Sequence, residues 1–595
     1  MTDVLSRRDL DFLLYEWLDV ESLTSAKRFA EHSKDTFDAV LDLCADIAHK
    51  HFEPHNKLSD ATEPRMRPDG TVEMIEDVKA ALDVYSAAGL IAGQFDEALG
   101  GMQLPTTVAR AAMAWFQAAN ASTSAYPFLT MANANLIATY GTAEQIDHYV
   151  RPMLEGKYFG TMCLSEPQAG SSLADITTRA VKQDDGSYRI TGTKMWISGG
   201  DHELTENIVH LVLAKAAGGG PGVKGISLFV VPKYLPDGVR NDVTLVGLNH
   251  KMGNRGTTNT LLNFGDGTNA VAGNDAAGAV GYLVGEEHRG LSYMFHMMNE
   301  ARIGVGFLAI SLGYVGYLKS LDYAKVRTQG RPLGAKDPSS PPVALIEHAD
   351  VRRMLLAQKS YVEGALALGL YCSRLVDEQD STDNDRIKSE STLLLDVLTP
   401  IAKSWPSHWC LEANSLAIQI HGGYGYTRDY DVEQYYRDNR LNPIHEGTTG
   451  IQGLDLLGRK VTMQGGAGLL LLGSRLTETV ERARGASGDT GEFAARLESS
   501  WNDIVTVTAA LWSTGDPAVA LANSTVYLEA MGHIVIAWMW LEQLTAVEGK
   551  SGDFYDGKRR AARYFFVYEL PKVAPQLALL SSLDRTTLDM KPEWF

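Results

Sequence analysis

Ile444-His445-Glu446-Gly447-Thr448-Thr449-Gly450-Ile451-Gln452 sets one carboxylate at a helix start, directly before a glycine. Gly447 lets another molecule approach the backbone closely. Thr448 and Thr449 are N-cap residue types opening the apolar run Ile451, Leu454, Leu457. Two readings follow from the segment itself. Glu446 is a capping carboxylate stabilised by the helix dipole, or it is a base facing a ligand. Its surroundings in the chain decide between them.

Upstream, helical periodicity fills about 290–460, broken by the Pro-rich loop from Gly330-Arg331-Pro332 to Pro341-Pro342. Before that, between about Gly160 and Gly285, short β-branched runs such as Ile208-Val209-His210-Leu211-Val212-Leu213 are punctuated by Gly, Asp and Pro. Asp185-Gly186 between two such runs is a hairpin signal. Helical spacing returns in Phe37, Val40, Leu41, Cys44, Ile47 and in Val78, Leu82, Tyr85. Downstream of Gly465-Gly466-Ala467-Gly468 come further amphipathic segments reaching Trp594. The expectation is an α+β chain in four parts. These are an N-terminal helical domain (1–159), a β-domain of barrel or sandwich type (160–285), a helical bundle (286–464) and a C-terminal helical domain (465–595).

At 595 residues the chain exceeds one ordinary core, and two to four domains are expected. A net charge of −19 argues against nucleic-acid binding through phosphate neutralisation. Cys44, Cys163, Cys372 and Cys410 show neither disulfide nor zinc spacing, so no metal is expected and a reducing compartment fits. The N-terminus lacks the basic-then-apolar order of a signal peptide, and no apolar run is read as long enough to span a membrane. A cytoplasmic protein is expected.

Two further motifs open the β-region. Met162-Cys163-Leu164-Ser165-Glu166-Pro167-Gln168-Ala169-Gly170-Ser171 offers backbone groups and small hydroxyls suited to the polar edge of a flat heterocycle. Gly192-Thr193-Lys194-Met195-Trp196-Ile197-Ser198 places Trp196 to cover a ring face. A strand Trp in isolation is usually core, and a Ser-Glu-Pro loop is usually a turn. Together with Gln419-Ile420-His421-Gly422-Gly423-Tyr424-Gly425 and the Glu446 helix start, in this order, they resemble the acyl-CoA dehydrogenase family over roughly Leu10 to Lys460.

That resemblance implies helical, β and helical domains, non-covalent FAD, and α,β-dehydrogenation of an acyl-CoA thioester, as in fatty acid β-oxidation. It implies Glu446 as catalytic base, with enolate stabilisation from its own backbone N–H and a flavin hydroxyl. It places Met162, Leu164 and Ser165 against the isoalloxazine, with Trp196 and Ser198 beside it. Arg327, Gln419 and Gly423 are implied at the FAD diphosphate and ADP portion across a dimer interface, and Thr448 is counted with the FAD set. Ser171, Asn299, Arg302 and Gly447 are implied at the CoA substrate, with Asn299 replacing the usual Asp. Glu300 precedes Ala301, the position some relatives use for the base, and points elsewhere on the helix. His445 replaces a frequent aromatic neighbour; it tunes the pocket or shapes its wall.

The extension resembles that of large bacterial fatty acyl-CoA dehydrogenases and methylmercaptopropionyl-CoA dehydrogenase, and implies a homodimer. From Gly465 onward, 12 Lys and Arg against 16 Asp and Glu give a net of −4, so no basic module is present, and Lys558-Arg559-Arg560 with Arg563 is read as solvated. Tyr126 and Phe128 either truncate the acyl pocket or pack the core. The expected reaction gives trans-2-enoyl-CoA from a medium or long straight chain, with electron transfer flavoprotein as acceptor. An oxygen-using acyl-CoA oxidase, a methylmercaptopropionyl-CoA dehydrogenase and a flavin-bearing, nucleic-acid-associated protein are the alternatives.

Overall fold

The β-branched runs become strands where alternate residues find a shared interior. In a computed structural model of the chain, β1 (Arg65–Met66) and β2 (Val72–Glu73) form a small antiparallel pair. The remaining strands build one sheet: β3 (Tyr158–Cys163), β4 (Arg179–Lys182), β5 (Tyr188–Ser198), β6 (Asn207–Ala216), β7 (Ile226–Pro232), β8 (Val243–Leu248), β9 (Asn259–Phe264) and β10 (Ala279–Leu283). The structure describes residues 3–271, 277–334, 337, 339–486 and 488–595, without the side chains of His296 and Asn299. The chain divides into two units: Ala39–Leu104 with Ala119–Ala301, and Met1–Asp38 with Pro105–Ala118 and Arg302–Phe595.

The first of these units holds the sheet. Its order is β10-β7-β6-β4-β5-β9-β8, with β3 on β6 and a further β10 to β5 pairing. That pairing returns the path on itself, and the interior fills with Tyr188, Ile190, Val212, Phe229, Val231 and Leu262. Of the barrel and sandwich forms expected from the sequence, this strand path is that of the barrel. The turn at Asp185-Gly186 joins antiparallel β4 and β5, with Gly186 at φ +86°. Asn133, from the Ala121–Tyr140 helix, donates to Thr161 O and Val209 O at 2.9 Å each and pins that helix to the sheet.

The other unit is helical. Ala349–Ser381 and Asp385–His421 pair along their lengths, and the C-terminal extension adds Ala467–Ala483, Thr490–Ser513, Ser524–Ala546 and Asp553–Tyr564. Ser524–Ala546 is apolar on all sides because Trp538, Trp540, Met531 and Ile534 are all buried within the unit. The Gly-Gly-Ala-Gly stretch is only partly a connector. Gly465 and Gly466 are left-handed, whereas Ala467 and Gly468 already belong to the next helix.

Two sequence readings are corrected. The helix Gly290–Val326 is long and apolar enough to cross a membrane, although no such run was expected. Its apolar window is 89% buried inside the protein, which is the environment of a core helix. Lys558 is not solvated: it is 1% exposed, pairs with Asp9 and with Glu363 at 2.9 Å, and donates to Gln543 Oε1. An amphipathic helix with a basic run presents one lysine inward whenever its neighbours bring carboxylates there. Of the same cluster, Arg563 pairs with Asp489 at a half-exposed site.

Candidate active site

The chain around Glu446 turns sharply. Glu446 has φ +52° and Gly447 φ +88°, so a non-glycine residue occupies the left-handed region. That conformation costs a side-chain-bearing residue about 1–3 kcal/mol and persists only where the surroundings impose it. At φ +88° Gly447 adopts a conformation that favours glycine, and a Cβ there would also displace the Gln452 amide, whose Nε2 lies 2.4 Å from its position. Gln452 Nε2 donates to Glu446 O at 3.0 Å. Lys403, from the Asp385–His421 helix and fully buried, donates to Asn442 O at 2.8 Å and Gly447 O at 2.7 Å. Thr448 caps the helix Thr449–Asp455 by accepting from Ile451 N at 3.3 Å; Thr449 is its first residue rather than a cap.

Among the described residues no hydrogen bond or ion pair holds the Glu446 carboxylate, and its backbone N–H has no acceptor. Burial raises its pKa above the ordinary carboxylate value, and the charges of Arg302 and Lys403 act in the opposite direction. Arg302, expected at the CoA nucleotide, is 4% exposed and paired with Asp455 at 3.2 Å. Burial lowers Lys403 to about 7. His445 is pushed down to about 3 by burial and by Lys403, so it stays neutral. Its Nε2 lies 3.1 Å from Asn442 Oδ1, an atom that only accepts, which puts the ring proton on Nε2. His445 therefore braces the turn.

In the sheet-bearing unit the other two motifs meet. Met195 N donates to Ser165 O at 3.0 Å, and Lys194 Nζ donates to Leu164 O at 3.0 Å. Met162, Leu164, Ser165 and Ser198 are half-buried, with Ser198 Oγ accepting from Asn259 Nδ2. Trp196 sits where the β5–β9 register shifts, at φ +66°, and its side chain is 58% exposed. A bulge that turns an indole outward is a feature of binding surfaces rather than cores. Ser171 is exposed at the end of the same loop. The loop's shape comes from Glu166, 2% exposed, which accepts from Thr177 and Thr178 through both N–H and hydroxyl groups, from Gln168, and from Lys194 Nζ at 3.0 Å.

A third group lies on the helical unit. Arg327 is exposed, its guanidinium 5.7 Å from the Tyr424 ring centre, so it neighbours the Gly422-Gly423 turn. Gln419 is exposed one turn earlier, and nothing lies within 4 Å of a Cβ built at Gly422 or Gly423. That open backbone beside an arginine suits a diphosphate. The Asn299 side chain lies outside the described residues. Glu300 accepts from Asn135 Nδ2 at 3.0 Å. Tyr126 is 1% exposed and its hydroxyl accepts from Thr258 N.

Sequence reasoning missed Lys403, Lys194, Asn442 and Gln452. The available signal was a lysine inside an otherwise apolar helical run, Ile401-Ala402-Lys403-Ser404-Trp405, where a cation stays only if something buried receives it.

Family models match four stretches: "Acyl-CoA dehydrogenase, N-terminal domain" over 35–157, "middle domain" over 161–266, "C-terminal domain" over 288–461, and "Acetyl-CoA dehydrogenase C-terminal like" over 472–591. The chain is 34% identical over 577 residues to 3-methylmercaptopropionyl-CoA dehydrogenase of Ruegeria pomeroyi, covering 94% of each. It is 33% identical over 612 residues to the broad-specificity linear acyl-CoA dehydrogenase FadE5 of Mycobacterium tuberculosis, covering 98% of each. An acyl-CoA dehydrogenase from Bacillus anthracis, solved with FAD, shares the fold at TM-score 0.74 and 18% identity, over 98% of this chain and 95% of that one.

Proposed function

The chain belongs to the acyl-CoA dehydrogenase family, an FAD-using family of oxidoreductases acting on acyl-CoA, and from that premise we propose a specific reaction and residue set. Glu446 removes the α-proton of a medium or long straight-chain acyl-CoA, the product is trans-2-enoyl-CoA, and electrons pass to an electron transfer flavoprotein. Bound FAD supplies the hydride acceptor for the β-hydrogen. Ser165 and the loop from Met162 to Leu164 offer the ring a polar edge, Trp196 offers it a face with Ser198 alongside, and Arg327, Gln419 and Gly423 suit its diphosphate portion.

One observation carries this reading: a half-buried carboxylate that has no hydrogen-bond partner among the described residues, beside a backbone N–H that also lacks one there, on a turn held in the left-handed region. A carboxylate without donors is a stronger base than one in water. The free N–H suits the thioester oxygen that gains charge as the proton leaves. A capping role is not supported, because Thr448 already caps the helix.

Linear substrates are supported by the similarity to FadE5, a broad-specificity linear acyl-CoA dehydrogenase. A second reading, 3-methylmercaptopropionyl-CoA, is favoured by the comparable identity to the Ruegeria enzyme. The four buried, unbridged cysteines support a reducing cytosol, and the exposed Arg327–Tyr424 face supports a homodimer. Anaerobic titration with octanoyl-CoA, palmitoyl-CoA and 3-methylmercaptopropionyl-CoA separates the substrate readings by which thioester bleaches the flavin. Rapid reoxidation in air would favour the oxidase. Glu446→Gln is expected to keep the flavin and lose turnover by roughly 10²–10⁴-fold; an active variant rejects the assignment.

A further inference from the structure

Lys403 lies on no motif and touches no residue assigned to a cofactor contact except the Glu446 turn. It is fully buried, and its only hydrogen bonds among the described residues go to two main-chain carbonyls that bracket the base: Asn442 O at 2.8 Å and Gly447 O at 2.7 Å. Burying an ammonium carries a large desolvation penalty unless nearby negative charge or dipoles offset it. Two carbonyls satisfy part of its hydrogen-bonding capacity, and the Glu446 carboxylate is the negative charge that acts on it.

We propose that Lys403 is a positioning residue for the general base, locking the Asn442–Gly447 turn that carries the Glu446 carboxylate. This rests on the reading of Glu446 as the base.

The turn needs such a lock. Glu446 occupies a conformation that its own side chain disfavours, and Gly447 O, fixed by Lys403, is the carbonyl directly after it. Asn442, whose carbonyl Lys403 also takes, orients its side chain toward His445 Nε2 and donates from Nδ2 to Asn439 Oδ1 at 2.9 Å. One ammonium therefore spans the segment on both sides of the base. Two further ties act on the segment, Gln452 Nε2 on Glu446 O and the Thr449 N–H on Pro443 O at 3.2 Å, and neither donor is charged.

The charge has a second effect. The ionisable groups facing Lys403 are Glu446 and His445 on the turn and Arg302 on the Gly290–Val326 helix, with Arg302 itself paired to Asp455, and Asp455 also to Arg459. His445 stays neutral, and Arg302 shares its charge with Asp455. With Lys403 protonated, Glu446 loses its proton at a lower pH than burial alone would allow. Because burial lowers Lys403 itself to about 7, that support fades as pH rises through neutrality.

The test uses the FAD-loaded full chain with octanoyl-CoA, following anaerobic flavin bleaching from pH 5.5 to 9.5, with rates taken per bound flavin. Exchange of the acetyl-CoA methyl protons in D2O is measured alongside, because that thioester has no β-hydrogen and reports the base alone. Lys403→Met is expected to lower both rates at pH 7 about tenfold or more and to move the acid limb up by about one pH unit. Lys403→Gln, which keeps N–H donors without charge, is expected to recover part of the rate but not the limb. An acid limb unmoved in both variants, while the wild type bleaches and exchanges, overturns the role of Lys403 and leaves Glu446 standing. Loss of neither activity in Glu446→Gln overturns both.

Discussion

At the scale of the residue, two of the eight left-handed non-glycine residues among those described lie in the motifs. Trp196 and Glu446 are both left-handed non-glycine residues, one at a register shift and the other at a helix entrance. Trp196 is the easier to test, because an indole that is 58% exposed contributes little to packing. Trp196→Gly relieves about 1–3 kcal/mol of backbone strain and gives back roughly 0.5–1 kcal/mol in chain entropy. The apoprotein should therefore melt within a few degrees of wild type while FAD affinity falls by tenfold or more. Fluorescence titration of the apoprotein with FAD checks it, and unchanged affinity would remove Trp196 from the flavin set. Glu446 was legible only in the company of the other motifs, since the segment alone also suited a helix-capping carboxylate. Lys403 was not, since its partners lie 39 and 44 residues away and meet it only after folding.

At the scale of the element, the loop after β3 shows how a motif can be singled out in the sequence and still hide what shapes it. The polar character of the Ser-Glu-Pro loop and the hairpin at Gly186 follow from local chemistry. The convergence of Thr177, Thr178, Gln168 and Lys194 on Glu166 does not, because β5 brings Lys194 there from 28 residues away. These donors and the Lys194 charge outweigh burial and depress Glu166 from 4.5 to about 2. The sign follows: a depressed carboxylate stabilises the fold fully above its unfolded value and loses that contribution as pH falls toward about 2. Glu166→Gln leaves Lys194 buried without its counter-charge and should cost roughly 3–5 kcal/mol near neutrality. The penalty should shrink between pH 4.5 and about 2, where wild type protonates too. Chemical denaturation of both proteins across that range measures it, and a pH-independent difference would mean that the loop is held by its neutral hydrogen bonds.

At the scale of the whole molecule, the helical unit is tied together by charge where its core is driest. Lys558 of the extension meets Asp9 near the N-terminus and Glu363 of the Ala349–Ser381 helix, and Tyr314 donates to Asp9 at 2.9 Å. Lys359 pairs with Glu363 from one turn away. The order of elements in this unit was readable from periodicity, and helical spacing sets Lys558 on the buried face with Ala561 and Ala562, but this junction joins segments more than 500 residues apart, and no local pattern shows the carboxylates that receive it. Burial and the charge of Glu363 raise Asp9, while the two lysines keep Glu363 low, so at neutral pH the cluster depends on the Lys558 ammonium. Lys558→Met keeps the length of the side chain and removes that charge, leaving Lys359 as the one cation of this cluster acting on both Glu363 and Asp9. The expected loss is roughly 3–5 kcal/mol, seen as a melting transition about 5–10 °C lower. Adding Asp9→Asn should restore part of it, because the neutral amide no longer needs the counter-charge. If the double variant is as unstable as the sum of the two single changes, Lys558 and Asp9 act independently and the junction is held by packing around Phe12 and Trp540 instead.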